Sequence, residues 1–320
     1  MRLLVLLNPA ARDGRTGRAR PLVEAALAEA GAEAEVVETR RAGDAETLAR
    51  TAEGVDAVVV AGGDGTIHEA VNGIVGTGLP LGVLPLGTGN DFAHALGMPD
   101  PLPEAVRAML AAPVRDLDVG RVRWTDAAGE HERLFANCLG TGFDADAARI
   151  AGETKWLGGR AAYLAAVLRT LWAWRRPDVR VRVVAQHAGD AVPAASEIAL
   201  PEAEPLFAGP LFLCEVGNGH SVGGGFLLTP DAVPDDGRLD VCLVRHLSPR
   251  RALGLLPKSF TGAHVGAPEV TMDRLVGMAM DVEAGVVALQ ADGEALTMAA
   301  THVAVEVVPG ALRALMPGRP

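Results

Sequence analysis

Two short turns carry residues whose types and spacing suit phosphate chemistry. The first is Gly62-Gly63-Asp64-Gly65-Thr66, which closes the apolar run Val58-Val59-Val60-Ala61. The second, Gly87-Thr88-Gly89-Asn90-Asp91, follows Leu84-Pro85-Leu86 about 25 residues on. Each reads as strand, glycine turn and helix, a junction that aims backbone N–H groups at an anion. Asp64 conflicts with that reading, because a carboxylate repels phosphate unless a cation or a proton-transfer role accompanies it. Neither turn matches GxGxxG: Thr66, Ile67 and His68 follow the first glycine pair, and Asn90, Asp91 and Phe92 follow the second. A dinucleotide oxidoreductase is therefore disfavoured, and without any Gly-Lys pair there is no P-loop.

The second half of the chain offers three more constellations. Asp235-Asp236-Gly237 reads either as a hairpin turn or as a hard-cation site, with Asp236 and nearby carbonyls supplying the oxygen ligands that Mg²⁺ takes. Asp292-Gly293-Glu294 is a tight turn bearing two carboxylates. Gly219-His220-Ser221-Val222-Gly223 matches the esterase pattern GxSxG, but that nucleophile needs a helix directly after it. Gly223-Gly224-Gly225, Pro230 and Pro234 follow instead. The 8 histidines show no metal-binding spacing. The 3 cysteines form no CxxC pair and sit in apolar, strand-like contexts, as buried reduced thiols of a cytoplasmic protein do.

The elements that must position these residues form two patterns. Residues 1–123 alternate strand and helix, which implies a parallel sheet covered on both faces. Residues 124–308 read as short strands with glycine or proline turns, a β-sandwich, interrupted by one long helix at about Leu157 to Arg176 and an Ala/Pro/Glu-rich tract from His187 to Pro205. The segment 309–320 is expected to return to the first domain. At 320 residues the chain accommodates two cores. A net charge of −11 argues against nucleic acid as a partner. No segment is expected to span a membrane. Two stretches nevertheless suit transient peripheral contact: Trp156, Trp172 and Trp174 among arginines, and Arg245, Arg250, Arg251 and Lys258 among leucines.

Taken in order, the two glycine turns, Gly223-Gly224-Gly225, Thr229-Pro230 with Asp236-Gly237, and Asp292-Gly293-Glu294 resemble the diacylglycerol kinase catalytic-domain family, in particular its soluble bacterial lipid kinases. The resemblance covers nearly the whole chain. It implies ATP in a cleft between an α/β domain and a β-sandwich. It implies nucleotide contacts from Thr39, from Gly62, Gly63, Asp64, Gly65, Thr66, Ile67 and His68, and from Gly87, Thr88, Gly89 and Asn90. A structural Mg²⁺ would be held by Asp236 and the carbonyls of Val233 and Arg238, with Asp91 and Asp118 joining a carboxylate–water–Mg²⁺ network. Glu294, with Asp292 beside it, would be the general base, and Asp64 would meet phosphate through Mg²⁺. Some relatives place a lysine after the first Asn-Pro; here only Arg12, Arg15 and Arg18 are offered. The expected reaction is phosphorylation of a primary hydroxyl on a membrane lipid, most of all diacylglycerol, by a cytoplasmic enzyme for which a homodimer stays open. The alternatives are an NAD kinase-like phosphotransferase, an esterase using Ser221, and a non-catalytic nucleotide-binding regulator.

Overall fold

The computed structural model describes residues 1–10, 19–143, 145–146, 170–171, 177–185 and 204–317. Arg12, Arg15 and Arg18, nearly all of the helix expected over 157–176 and most of the tract over 187–205 lie outside the described residues. The chain divides into two compact units, Met1–Asp118 with Gly310–Pro320, and Val119–Pro309.

Unit one is built on β1 (Arg2–Leu7), β2 (Glu33–Glu38), β3 (Ala57–Gly62) and β4 (Leu81–Pro85), parallel and in the order β2-β1-β3-β4. The pattern of burial follows this order. All six residues of β3 are buried, because β1 and β4 flank it and helices cover its faces. Edge strand β2 keeps Glu33, Glu35 and Glu38 exposed or half-exposed, and charge on an edge discourages further pairing. The connecting helices are α1 (Arg20–Glu29), α2 (Asp44–Arg50), α3 (Asp64–Ile74), α4 (Asp91–Ala95) and α5 (Leu102–Ala111). The chain leaves this unit along β5 (Val114–Asp126) and re-enters along β15 (His302–Leu315), whose Ala314 pairs in parallel with Leu81 of β4. Parallel strands joined by helices leave the strand ends and helix starts on one side, which is where ligands bind in such sheets.

Unit two is antiparallel. One layer pairs β8 (Asp178–Ala185) with β12 (Gly277–Ala284), and β12 with β15; β5 pairs with β6 (Gly129–Phe135) as a hairpin. The other layer runs β14 (Glu294–Ala300), β13 (Val287–Ala291), β7 (Cys138–Gly142), β9 (Phe207–Gly217), β10 (Leu239–Arg245) and β11 (Val270–Leu275). The first residues of β9 pair with β8 and its later ones with β7 and β10, so a single long strand belongs to both layers. The core between them contains Val181, Met278 and Val305 from one layer, and Val216, Val241 and Leu289 from the other. Helix α6 (Pro249–Ser259) follows β10, with the Ser248 hydroxyl capping it by accepting from Arg251 N at 3.3 Å. Under it lies a second apolar cluster that includes Phe143, Phe212, Leu213 and Val244. The fold is thus the expected α/β parallel-sheet domain and β-sandwich. Among the described residues no helix is long and apolar enough to cross a membrane.

Candidate active site

In unit one the expected nucleotide residues gather at the carboxyl ends of adjacent strands. Thr39, just past β2, is buried and donates its N–H to Leu7 O at the end of β1 (2.9 Å). Asn8 follows β1 and donates from Nδ2 to Thr66 Oγ1 at 2.9 Å, fastening the first strand to the first glycine turn. The two glycine turns touch. Leu86 N donates to Gly62 O at 3.1 Å, and a Cβ on Gly87 would stand 2.3 Å from Gly63 Cα and 2.8 Å from Asn90 Oδ1. Only glycine permits that approach. Asn90 adopts a left-handed φ of 57° and accepts from Gly87 N at 2.8 Å, locking the second turn. Gly63, Asp64, Gly65 and Gly89 are half-exposed and Thr88 is exposed, whereas Gly62, Thr66, Ile67 and His68 are buried.

Asp64 is the first residue of α3, so the turn is shorter than the sequence suggests. A carboxylate at a helix N-terminus is stabilised by the helix dipole. Its Oδ1 also accepts from Phe92 N, in the first turn of α4, at 3.2 Å. Asp64 therefore ties together the helix starts that follow β3 and β4. Asp91 is buried where α4 begins, and Asp118 is buried on β5, where its Oδ1 accepts from Gly310 N at 2.9 Å.

In unit two Asp292 and Glu294 sit in unlike surroundings. Asp292 and Gly293 form the two-residue turn of the β13–β14 hairpin, with φ of 50° and 86°. Positive φ at both positions is what a type I′ hairpin requires. The buried Asp292 carboxylate accepts from three successive amides: Ala136 N at 3.0 Å, Asn137 N at 2.8 Å and Cys138 N at 3.0 Å. Asn137 in turn donates from Nδ2 to Ser221 O, and Asn218 from Nδ2 to Ala136 O, each at 2.8 Å. Thr229 Oγ1 donates to Gly219 O at 3.0 Å. This knot holds the loops around Ser221 and Asp292. Glu294, the first residue of β14, is exposed at the hairpin's end. Ser221 precedes a small glycine turn closed by a Val222–Phe226 bridge, not a helix, so the esterase elbow is absent. Asn8, Asn137 and Asn218 were not singled out from sequence; single asparagines carry no pattern that marks them.

At the acidic turn Asp236 Oδ1 accepts from Arg238 N at 3.0 Å, and its other oxygen pairs with the Arg274 guanidinium. Arg274 lies opposite Asp240 across β10 and β11, with Nε 3.7 Å from the Asp240 carboxylate. The carboxylate expected to hold Mg²⁺ therefore has the Arg274 guanidinium beside it. Among the described residues no three His, Cys, Asp or Glu side chains converge as a metal site. Burial, and then the charge of Asp231, raise Asp240 to about 6. Burial also pushes the Cys242 thiol up to about 12 and Cys214 well above its ordinary value, so both are inert.

Unit two also holds an apolar cavity of about 90 Å³, several times what one water needs. Phe143, Phe212, Leu213 and Val244 line one side and Leu255 and Leu256 of α6 another, with His264 and Ser259 as its polar members. Phe143 and Phe212 stack with ring centroids 4.5 Å apart.

Glycine turns suited to phosphate on a parallel sheet stand in one chain with a sandwich that holds an apolar cavity. Comparison with known proteins supplies the family. The diacylglycerol kinase catalytic domain matches residues 2–122, and the YegS C-terminal NAD kinase beta sandwich-like domain matches residues 137–316. The chain is 31% identical over 319 residues to a diacylglycerol kinase of Mycobacterium tuberculosis, covering 99% of this chain and 95% of that one. It is 34% identical over 268 residues to a probable lipid kinase, YegS-like, of Chromohalobacter salexigens, covering 77% and 76%. A crystal structure of a diacylglycerol kinase from Bacillus anthracis superposes with a TM-score of 0.73 at 22% identity over 98% of this chain and 96% of that one. Yeast NADH kinase shares the fold more distantly, with a TM-score of 0.51 at 12% identity over 98% and 82%. The chain belongs to the diacylglycerol kinase catalytic-domain family and is a lipid kinase, a transferase with an alcohol acceptor.

Proposed function

We propose that the enzyme transfers the γ-phosphoryl group of MgATP to the free primary hydroxyl of diacylglycerol, giving phosphatidate. The observation that carries the choice of acceptor is the apolar cavity of unit two, whose lining of phenylalanine, leucine and valine suits an acyl chain and offers little to a sugar or a nucleotide. Phosphoryl transfer asks a protein for positioning and charge neutralisation more than for covalent chemistry. The paired turns at Gly62–His68 and Gly87–Asn90 supply positioning, their glycines letting backbone approach the phosphates and Thr39 bordering them. Mg²⁺ arrives with ATP as part of the substrate, and Asp64 is the acid nearest the glycine backbone that would face it. Glu294 takes the hydroxyl proton as the lipid oxygen attacks phosphorus, which requires it to come within about 3 Å of that hydroxyl or reach it through one water. Asp292 positions that turn.

A lipid kinase meets its substrate at a bilayer surface. We assign this contact to α6, which exposes Arg250, Leu253, Lys258 and the adjoining Phe260 and whose Leu253, Leu255 and Leu256 border the cavity. Arg180 and Arg182, which follow Trp172 and Trp174 in the sequence, are paired with Glu283 and Asp281 on the sheet. The test is incubation with γ-labelled ATP and either dioleoylglycerol or a total lipid extract. Labelled phosphatidate is expected. A different labelled lipid overturns the acceptor, and no labelled lipid overturns the reading.

A further inference from the structure

Strand β13 is buried along its whole length, and four of its 5 residues are apolar. The exception is Gln290, 1% exposed. Burying an amide costs free energy unless it is hydrogen-bonded, so a glutamine in this row calls for a task that valine or leucine could not perform. Its Oε1 accepts from Gly293 N at 2.7 Å. A backbone N–H can only donate, so the end of the amide that faces Gly293 is its oxygen. Opposite Gln290 on β7 stands Gly140. Facing residues of paired strands share one side of the sheet, and a glycine there leaves room for the amide.

A two-residue hairpin leaves the N–H groups of both turn residues outside the ladder between its own strands. Here both are taken: Asp292 N donates to Cys138 O at 2.9 Å, and Gly293 N donates to Gln290. Asp292 thus secures the first turn residue, through its N–H and its carboxylate. Gln290 secures the second, which is bonded directly to Glu294. The N–H that Gln290 holds belongs to the peptide joining Asp292 to Gly293. Rotation of that peptide changes the turn type and re-aims the residue that follows. Gly293 offers little resistance of its own, since glycine takes either sign of φ; it stands at 86°.

We propose that Gln290 is a positioning residue for phosphoryl transfer: by holding Gly293 N it fixes the direction in which Glu294 leaves the turn toward the lipid hydroxyl. This rests on the reading of Glu294 as the general base. Gln290 itself touches neither substrate nor the reacting atoms.

Steady-state kinetics with MgATP and dioleoylglycerol on Gln290→Met, Glu294→Gln and the double variant test it. Methionine keeps the length and volume of glutamine and removes the acceptor. In Gln290→Met kcat is expected to fall about 10–100-fold with both KM values unchanged, the scale of a misplaced catalytic group. In the Glu294→Gln background the same change is expected to have no further effect, because a residue that acts by aiming the base has nothing left to aim. Losses that multiply overturn the role of Gln290 and leave Glu294 as the base. So does a Gln290→Met variant that melts lower but keeps wild-type kcat. Wild-type kcat in Glu294→Gln overturns the parent reading instead. Should Gln290→Met not fold, Gln290→Glu decides, since it keeps the acceptor and adds a negative charge beside the turn. Turnover is then expected to survive while the acidic limb of the kcat profile moves to higher pH, as a like charge raises a carboxyl group's pKa. An unshifted limb overturns the role of Gln290.

Discussion

Replacing Asp292 and Glu294 one at a time separates two carboxylates that stand two residues apart. The Asp292 carboxylate accepts three backbone N–H groups in a buried site. Hydrogen bonds to a charged group are each worth roughly 1.5–3 kcal/mol, and a buried donor left without a partner costs about 1–3 kcal/mol. In Asp292→Asn the remaining oxygen can still serve Asn137 N and Cys138 N, both of which reach Oδ1. The amide NH₂ then faces Ala136 N, donor against donor. One charge-assisted bond lost and one donor stranded give about 2.5–6 kcal/mol of destabilisation. For a unit of this size that lowers the melting temperature by roughly 5–24 °C. All 4 tryptophans, Trp124, Trp156, Trp172 and Trp174, fall within Val119–Pro309, so tryptophan fluorescence reports unit two alone. Glu294 is exposed, and Glu294→Gln is expected to leave the melt within about 0.5 kcal/mol of wild type. Its turnover should fall about 10²–10⁴-fold, the usual worth of a positioned base. A normal melt for Asp292→Asn combined with normal turnover for Glu294→Gln would refute the assignment of both residues.

Asp64→Asn keeps an oxygen for Phe92 N and removes the charge, so turnover is expected to drop on the order of 10²-fold while stability falls by no more than the roughly 0.3–1 kcal/mol of the helix-dipole interaction; wild-type activity would remove Asp64 from the phosphate site. Asp240 has its folded-state value raised to about 6, above an unfolded value near 4, so the folded state is penalised as pH climbs from about 4 through 6 and fully above that. With Arg274 nearby and solvent screening, about 1 kcal/mol of penalty remains, and Asp240→Asn should melt higher than wild type at pH 7.5 but alike at pH 4; a variant that melts lower at both pH values contradicts the sign. Binding to anionic vesicles in co-sedimentation is expected to be weak at low salt, to fade at high salt, and to fall in Leu253→Asp; salt-independent binding would exclude docking by the charges around α6.

The fold was legible because its two halves follow different hydrophobic periods. Strands buried on both faces, such as Val58 to Val60, read as unbroken apolar runs, while the sandwich strands are short and end at glycine or proline. The site was legible where glycine marks it. A residue of ordinary shape cannot stand at Gly87 against Gly63. Partners far apart in sequence were not legible. Asp64 reaches Phe92 across 28 residues, and Asp292 reaches Ala136 across 156. Neither link obeys a helical or strand period, since each depends on which loops the finished sheet brings together. The GxSxG match shows the opposite risk, because a short pattern can be satisfied by letters while the backbone after Ser221 makes a glycine turn.

The two Asp-Gly turns share one design, and this bears on how mutations in the family of such sites are read. At Asp64-Gly65 and at Asp292-Gly293 the aspartate accepts backbone N–H groups from a segment distant in sequence, and the glycine follows where the chain turns or starts a helix. A carboxylate used in this way organises backbone as well as charge. Loss of activity on replacing it therefore does not by itself identify an acid that touches substrate. Asparagine, which preserves an acceptor while removing the charge, separates the two uses at Asp64, where Phe92 N is accepted by one oxygen. It cannot do so at Asp292, where three N–H groups demand both oxygens. The exposed Glu294, with one chain position between it and that anchor, is held by a turn whose geometry Asp292 fixes, and its orientation is inherited from the buried acid.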